Sequence, residues 1–139
     1  MIGIVIVAHG GLATEYKAAV EHVVGAQRGI AAVAISADCN REAKRIEICQ
    51  AADGVDMGGG VVIVTDMFGG SPSNLSLSAC NCANRRVLYG ANLPLLVKLA
   101  KSRSQTVPEA ISLAIDAGRK YMDCLPETCL LYTSPSPRD

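Results

Sequence analysis

Hydrophobic positions along the chain fall into two alternating patterns. Ile2–Ala8 ("IGIVIVA") is a continuous apolar run rich in β-branched residues, which suits a strand buried on both faces of a parallel sheet. From about Leu12 to Val24 the apolar positions Ala13, Ala19, Val20, Val23 and Val24 are separated by Glu15, Lys17 and Glu21. That spacing predicts an amphipathic helix, closed by Gly25. The alternation repeats with a strand over Ala31–Ala37 and a helix over Arg41–Ala52, where Ala43, Ile46 and Cys49 recur every three residues. Gly58–Gly60 lead into a third strand, Val61–Thr65. Pro72–Asn84 is expected to be helical, Arg86–Ala91 a fourth strand, Pro94–Ser102 a short helix, and Pro108–Met122 a last helix with proline in its first turn. Strands that alternate with helices through short loops imply right-handed crossovers. The predicted fold is therefore α/β: an open, mainly parallel four-stranded sheet with helices on both faces, a three-layer sandwich.

Composition narrows the function without naming it. The 139 residues are half hydrophobic and carry 13 basic and 13 acidic side chains, a formal net charge of zero. No basic field attracts nucleic acid or an anionic membrane. Met1–Ala8 is apolar but lacks a basic leader and is shorter than the roughly 20 residues of a membrane helix, so a cytoplasmic protein without membrane insertion is expected. Six cysteines raise the question of metal or disulfides. Cys80 and Cys82 are only two apart, and Cys39, Cys49, Cys124 and Cys129 have no histidine at ligand spacing, so no metal is expected and the thiols are read as reduced.

Ligands of such sheets bind outside the carboxyl ends of the strands. Three strand ends here carry polar residues: His9 in "VAHGG", Asp66 in "TDMFGGSP" and Asn92 in "GANLP". Each alone has an ordinary explanation. Asp is a common turn residue, Gly69 and Gly70 permit positive φ, and Ser71 before Pro72 reads as a helix N-cap followed by proline at the first helical position. Together they make a chemical unit. A carboxylate bonded to one imidazole nitrogen fixes the tautomer and frees the other lone pair for nucleophilic attack. A glycine-rich turn at a helix N-terminus offers backbone N–H groups to an anion such as a phosphoryl group. No Walker-type "GK[ST]" run is present, which argues against a nucleotide as phosphate source. A hydrolase with Ser71 as nucleophile is disfavoured, since no G-x-S-x-G elbow exists. His22, inside a predicted helix, reads as a solvated residue, and Tyr16, Tyr89 and Tyr121 as core or interface aromatics.

"IVIVAHG", "VTDMFGGSPSN" and "GANLPLLVKL", in that order, resemble the mannose-type enzyme IIA domain of the bacterial phosphoenolpyruvate-dependent phosphotransferase system. The resemblance runs from Met1 to about Asp123, and "DMFGGSPSN" is its most specific block. It implies that His9 is phosphorylated by the phosphocarrier protein HPr, that Asp66 is its hydrogen-bonded partner, and that Gly69, Gly70 and Ser71 form a phosphate-stabilising loop. Phe68 and Asn92 are placed at the rim where partners dock. No cofactor is implied. The resemblance also implies a fifth, antiparallel C-terminal strand exchanged between the two chains of a homodimer.

After "AGRKYMD" the chain departs from that pattern. "CLPETCLLYTSPSPRD" contains Pro126, Pro135 and Pro137 with little alternation, and its end is similar to a translated sequencing-adapter tail. The expected organisation is a domain over 1–124 and a tail over 125–139 that is disordered or foreign to the native chain. Two roles fit the resemblance: relay to a IIB domain in sugar uptake, in association with membrane IIC and IID subunits, or regulation through a protein that reads the phosphorylation state. The likeness to short, standalone members favours regulation, and a purely regulatory binding module with no sugar substrate is its extreme form. A phosphotransfer subunit related to dihydroxyacetone kinase shares the early histidine but lacks "DMFGGSP".

Overall fold

The structure is a computed structural model and describes residues 1–67, 71–81 and 84–126. Four strands, β1 (Gly3–His9), β2 (Ile30–Ile35), β3 (Val61–Thr65) and β4 (Arg85–Tyr89), form one sheet in the order β2-β1-β3-β4, and all three pairings are parallel. The helices are α1 (Leu12–Val24), α2 (Arg41–Val55), α3 (Ser71–Ser76), α4 (Leu93–Lys101) and α5 (Val107–Lys120), with a 3-10 turn over Leu77–Asn81. The expected α/β sandwich is the observed one.

Its layering follows from the period of two along each strand. Ile4, Ile6 and Ala8 of β1, with Val62 and Val64 of β3, face α1, α4 and α5 and pack with Ala13, Val20, Leu96, Leu99 and Ala114. Val5, Val7, Val61 and Ile63 face the other way, onto Ile48, Ala52 and Val55 of α2 and Leu75 and Ala79. Because both faces are covered, β1 and β3 need apolar residues at every position, which is the run seen in the sequence.

Several element edges differ from the sequence reading. β2 ends at Ile35 rather than Ala37, and β4 ends at Tyr89 because Gly90, at φ +85°, turns the chain. α2 runs one turn further, to Val55. The single helix expected over Pro72–Asn84 is a short α-helix that gives way to the 3-10 turn, and Asn84 at φ +67° starts the approach to β4. Serine hydroxyls compete with the helix ladder here: Ser76 donates to the Pro72 carbonyl oxygen at 2.5 Å.

Gly3 shows how tightly α2 lies on the sheet. A Cβ at that position would stand 2.2 Å from the Val55 carbonyl oxygen. Gly3→Ala must push the end of α2 off β1, and a loss of about 3 kcal/mol is expected in urea denaturation, the upper range for overpacking a core.

Candidate functional site

Strand order places the site. β1 is followed by α1 on one face, whereas β3 is followed by α3 on the other, so the chain parts to opposite faces between two adjacent strands. That crevice, at the carboxyl ends of β1 and β3, is the switch point where open α/β sheets bind ligands. His9 closes β1 and Asp66 follows directly on β3.

Their side chains meet. The His9 ring Nδ1 lies 2.7 Å from Asp66 Oδ2, and the same oxygen accepts the His9 backbone N–H at 3.0 Å. Asp66 Oδ1 accepts the Met67 N–H at 3.0 Å, so both carboxylate oxygens are held. Burial pushes the Asp66 carboxyl up, but the His9 backbone N–H, the His9 ring and Asp66's own backbone N–H outweigh it and hold the group below the usual carboxylate range. An ionised carboxylate only accepts, so Nδ1 carries a proton, and in the neutral imidazole Nε2 then presents its lone pair. Asp66 is largely buried, 12% exposed, while the His9 side chain is 48% exposed, which anchors the imidazole at one nitrogen and opens the other to solvent. Gly10, at φ +56°, then turns the chain out of β1 into α1, whose first turn has Gly11 at its cap and no side-chain capping bond.

This geometry gives Asp66 a pH signature. Its folded-state pKa is depressed, so its stabilisation is present above the unfolded carboxylate value of about 3.9 and is lost as pH falls through the lower folded value. Asp66→Asn cannot meet all three N–H donors, because one amide end is itself a donor. A deficit of about 1–2 kcal/mol against the parent at neutral pH is expected, shrinking below about pH 4, when urea midpoints are compared across that range.

Ser71 begins α3 one residue before the expected start, and its Oγ accepts a hydrogen bond from Arg41 Nη1 at 3.2 Å. Arg41, at the start of α2, was not among the residues singled out in the sequence. Its only sequence signal is its position after a second strand end of the same edge. Asn92 is engaged at both ends of its amide: Oδ1 caps α4 by accepting from Leu95 N at 2.9 Å, and Nδ2 donates to the Gly118 carbonyl oxygen at 3.0 Å. Phe68, Gly69 and Gly70 lie outside the described residues. His22 sits in the last turn of α1, away from this edge.

Residues 3–115 match the family model of the PTS system fructose IIA component, the mannose-type EIIA family of the phosphotransferase system. The chain belongs to that family. The mannose-specific EIIAB component of Escherichia coli K12 is 27% identical to it over 139 residues, covering 98% of this chain and 43% of that protein. The chain thus spans less than half the length of the curated relatives it matches. EIIA of Streptococcus agalactiae superposes with a TM-score of 0.79 at 23% identity, covering 89% of this chain and 97% of that one. The mannose/sorbose specific IIA subunit of Enterococcus faecalis also gives 0.79 at 23% identity, over 90% and 96% of the two chains. These structures share the fold of this EIIA chain. Among its described residues, no helix is long and apolar enough to cross a membrane.

Proposed function

We propose that this EIIA chain is a histidine phosphocarrier whose nucleophile is His9 Nε2. The observation that carries the reading is the 2.7 Å contact between His9 Nδ1 and Asp66 Oδ2, which holds a half-exposed imidazole by one nitrogen, so that its neutral form offers Nε2 as the nucleophile. In the forward step the Nε2 lone pair attacks phosphorus of phospho-HPr. The N–P bond to the donor histidine breaks, its electron pair stays on the donor nitrogen, and a new N–P bond forms at Nε2. The proton on Nδ1 stays in place, and the positive charge that develops on the ring is balanced by Asp66. The reverse sequence at an acceptor nucleophile discharges the carrier.

Gly69, Gly70 and Ser71 are assigned to the phosphoryl cradle, with Phe68 and Asn92 at the docking rim. The acceptor is a IIB domain in sugar uptake or a regulatory protein that reads the phosphorylation state, and the setting is cytoplasmic, with IIC and IID subunits as possible membrane-bound associates. The domain is taken as 1–124, with 125–139 outside it. A homodimer by strand exchange would cover β4, an edge of the described sheet beside a groove lined by Tyr89, Ile115 and Met122.

Intact-protein mass spectrometry after incubation with phosphoenolpyruvate, enzyme I and HPr tests the reading. One acid-labile, alkali-stable phosphoryl group is expected. No mass gain from a folded chain, with HPr itself phosphorylated, would contradict it.

A further inference from the structure

α2 begins with a charge that its own helix does not use. Asn40 caps the helix by accepting the Ala43 N–H, Glu42 pairs with Arg45, and Lys44 pairs with Glu47. Arg41 pairs with none of them. A cation in the first turn also opposes the helix dipole, which favours anions there by about 0.3–1 kcal/mol. Helix stability therefore gives no reason for arginine at this position.

The fold brings Arg41 to the same sheet edge as His9. His9 stands opposite Ile35 in the β1–β2 register, and the Gly10 N–H donates to the Ile35 carbonyl oxygen at 2.9 Å. The chain leaves that strand end and, after residues 36–40, enters α2 at Arg41. From there the exposed guanidinium reaches 30 residues along the sequence to donate from Nη1 to Ser71 Oγ at 3.2 Å. Ser71 is the residue that follows Gly69 and Gly70. Among the described residues, Arg41 has no carboxylate within ion-pair distance, and its one bond to a neutral hydroxyl engages one of five N–H donors. A planar fork of charged donors at the same sheet edge as His9, bonded to Ser71, fits one ligand chemistry well: a tetrahedral oxyanion with two or three oxygens to share.

We infer that Arg41 is a catalytic residue of phosphoryl transfer, its guanidinium held at the site by Ser71 and binding the oxygens of the phosphoryl group that His9 receives. This rests on the reading of His9 as the carrier. Arg41 neutralises the phosphoryl charge while the bond at Nε2 forms, and Ser71 keeps the fork turned inward when the site is empty.

The test uses phosphoramidate as a small-molecule donor, so that protein docking plays no part. Its P–N bond breaks as the His9 Nε2–P bond forms, and its nitrogen leaves as ammonia with a proton from water. Labelling rates are followed by mass spectrometry for the parent chain, Arg41→Ala and Arg41→Lys, each shown to be folded by its melting curve, and then repeated with phospho-HPr. Arg41→Ala is expected to slow labelling about tenfold or more with both donors, with partial recovery in Arg41→Lys, which restores charge without the fork. Unchanged rates with phosphoramidate overturn the inference, and so does slowing confined to phospho-HPr, which would make Arg41 a docking contact. If Arg41→Ala does not fold, Arg41→Lys decides alone: a rate equal to the parent's overturns the forked contact, and a several-fold slower rate supports it. A parent chain that takes no label, or takes it at another residue, instead brings down the carrier reading, and the Arg41 inference with it.

Discussion

A His9→Ala chain is expected to fold normally and accept no phosphoryl group. The side chain removed is about half exposed, and the backbone N–H that binds Asp66 remains, so the cost in stability should stay within about 1 kcal/mol. The chemical cost is complete, because no second imidazole can reach the crevice. His22 lies in the last turn of α1, roughly 15 Å along the helix from its first residue. Ser71 Oγ is bonded to Arg41, and no base comparable to the His9–Asp66 pair is bonded to it among the described residues. Asp66→Asn should slow labelling without abolishing it, since the nucleophile survives and only control of its tautomer is weakened. The measurement is the labelled fraction with phosphoenolpyruvate, enzyme I and HPr beside a melting curve for each variant. Full labelling of His9→Ala would show that the nucleophile lies elsewhere.

Arg103→Met is expected to give the largest loss of stability, about 3 kcal/mol or more. Arg103 is 4% exposed and has no carboxylate partner among the described residues. Its side chain donates instead to the Ile2 carbonyl oxygen at 2.7 Å, to the Gly29 carbonyl oxygen at 3.2 Å and to Gln27 Oε1 at 3.3 Å, while its own carbonyl accepts the Ile2 N–H at 2.9 Å. Burial lowers the guanidinium's pKa from the usual arginine value. Together these bonds tie the chain after α4 to the start of β1 and the approach to β2. Methionine fills much of the space but takes the donor from the Ile2 carbonyl and one of two donors from the Gly29 carbonyl, which keeps the Ile4 N–H at 2.9 Å, and each hydrogen bond lost from a charged group costs roughly 1.5–3 kcal/mol. Urea denaturation with an unchanged slope should read the loss as a lower midpoint. A loss under about 1 kcal/mol would mean that water reaches those carbonyls.

Much of the fold was legible because a sheet covered on both faces leaves little choice of residue. β1 is buried from Gly3 through Ala8 and β3 throughout, and both appear in the sequence as unbroken apolar runs. α4 and α5 were legible from their periodicity and from Pro94 and Pro108 near their starts, although the caps proved to be Asn92 and Thr106. The segment after β3 was harder. Its serines and asparagines bond locally as readily as they continue a helix, and nothing in their spacing marks the change to a 3-10 turn. His9 and Asp66 could be paired from sequence because parallel strands deliver their carboxyl ends to one edge. Arg41 could not be. The first residue of a surface helix looks solvated until the sheet order shows that β2 ends beside β1 and that α2 starts against the residue following the glycine pair.

Nitrogen-resolved NMR of the phosphorylated chain, labelled with 15N-histidine, distinguishes the two ring nitrogens of His9. The Asp66 contact predicts a single phosphohistidine at His9 with phosphorus on Nε2 and the proton retained on Nδ1, facing Asp66. Phosphorus on Nδ1, or on any residue other than His9, would contradict it.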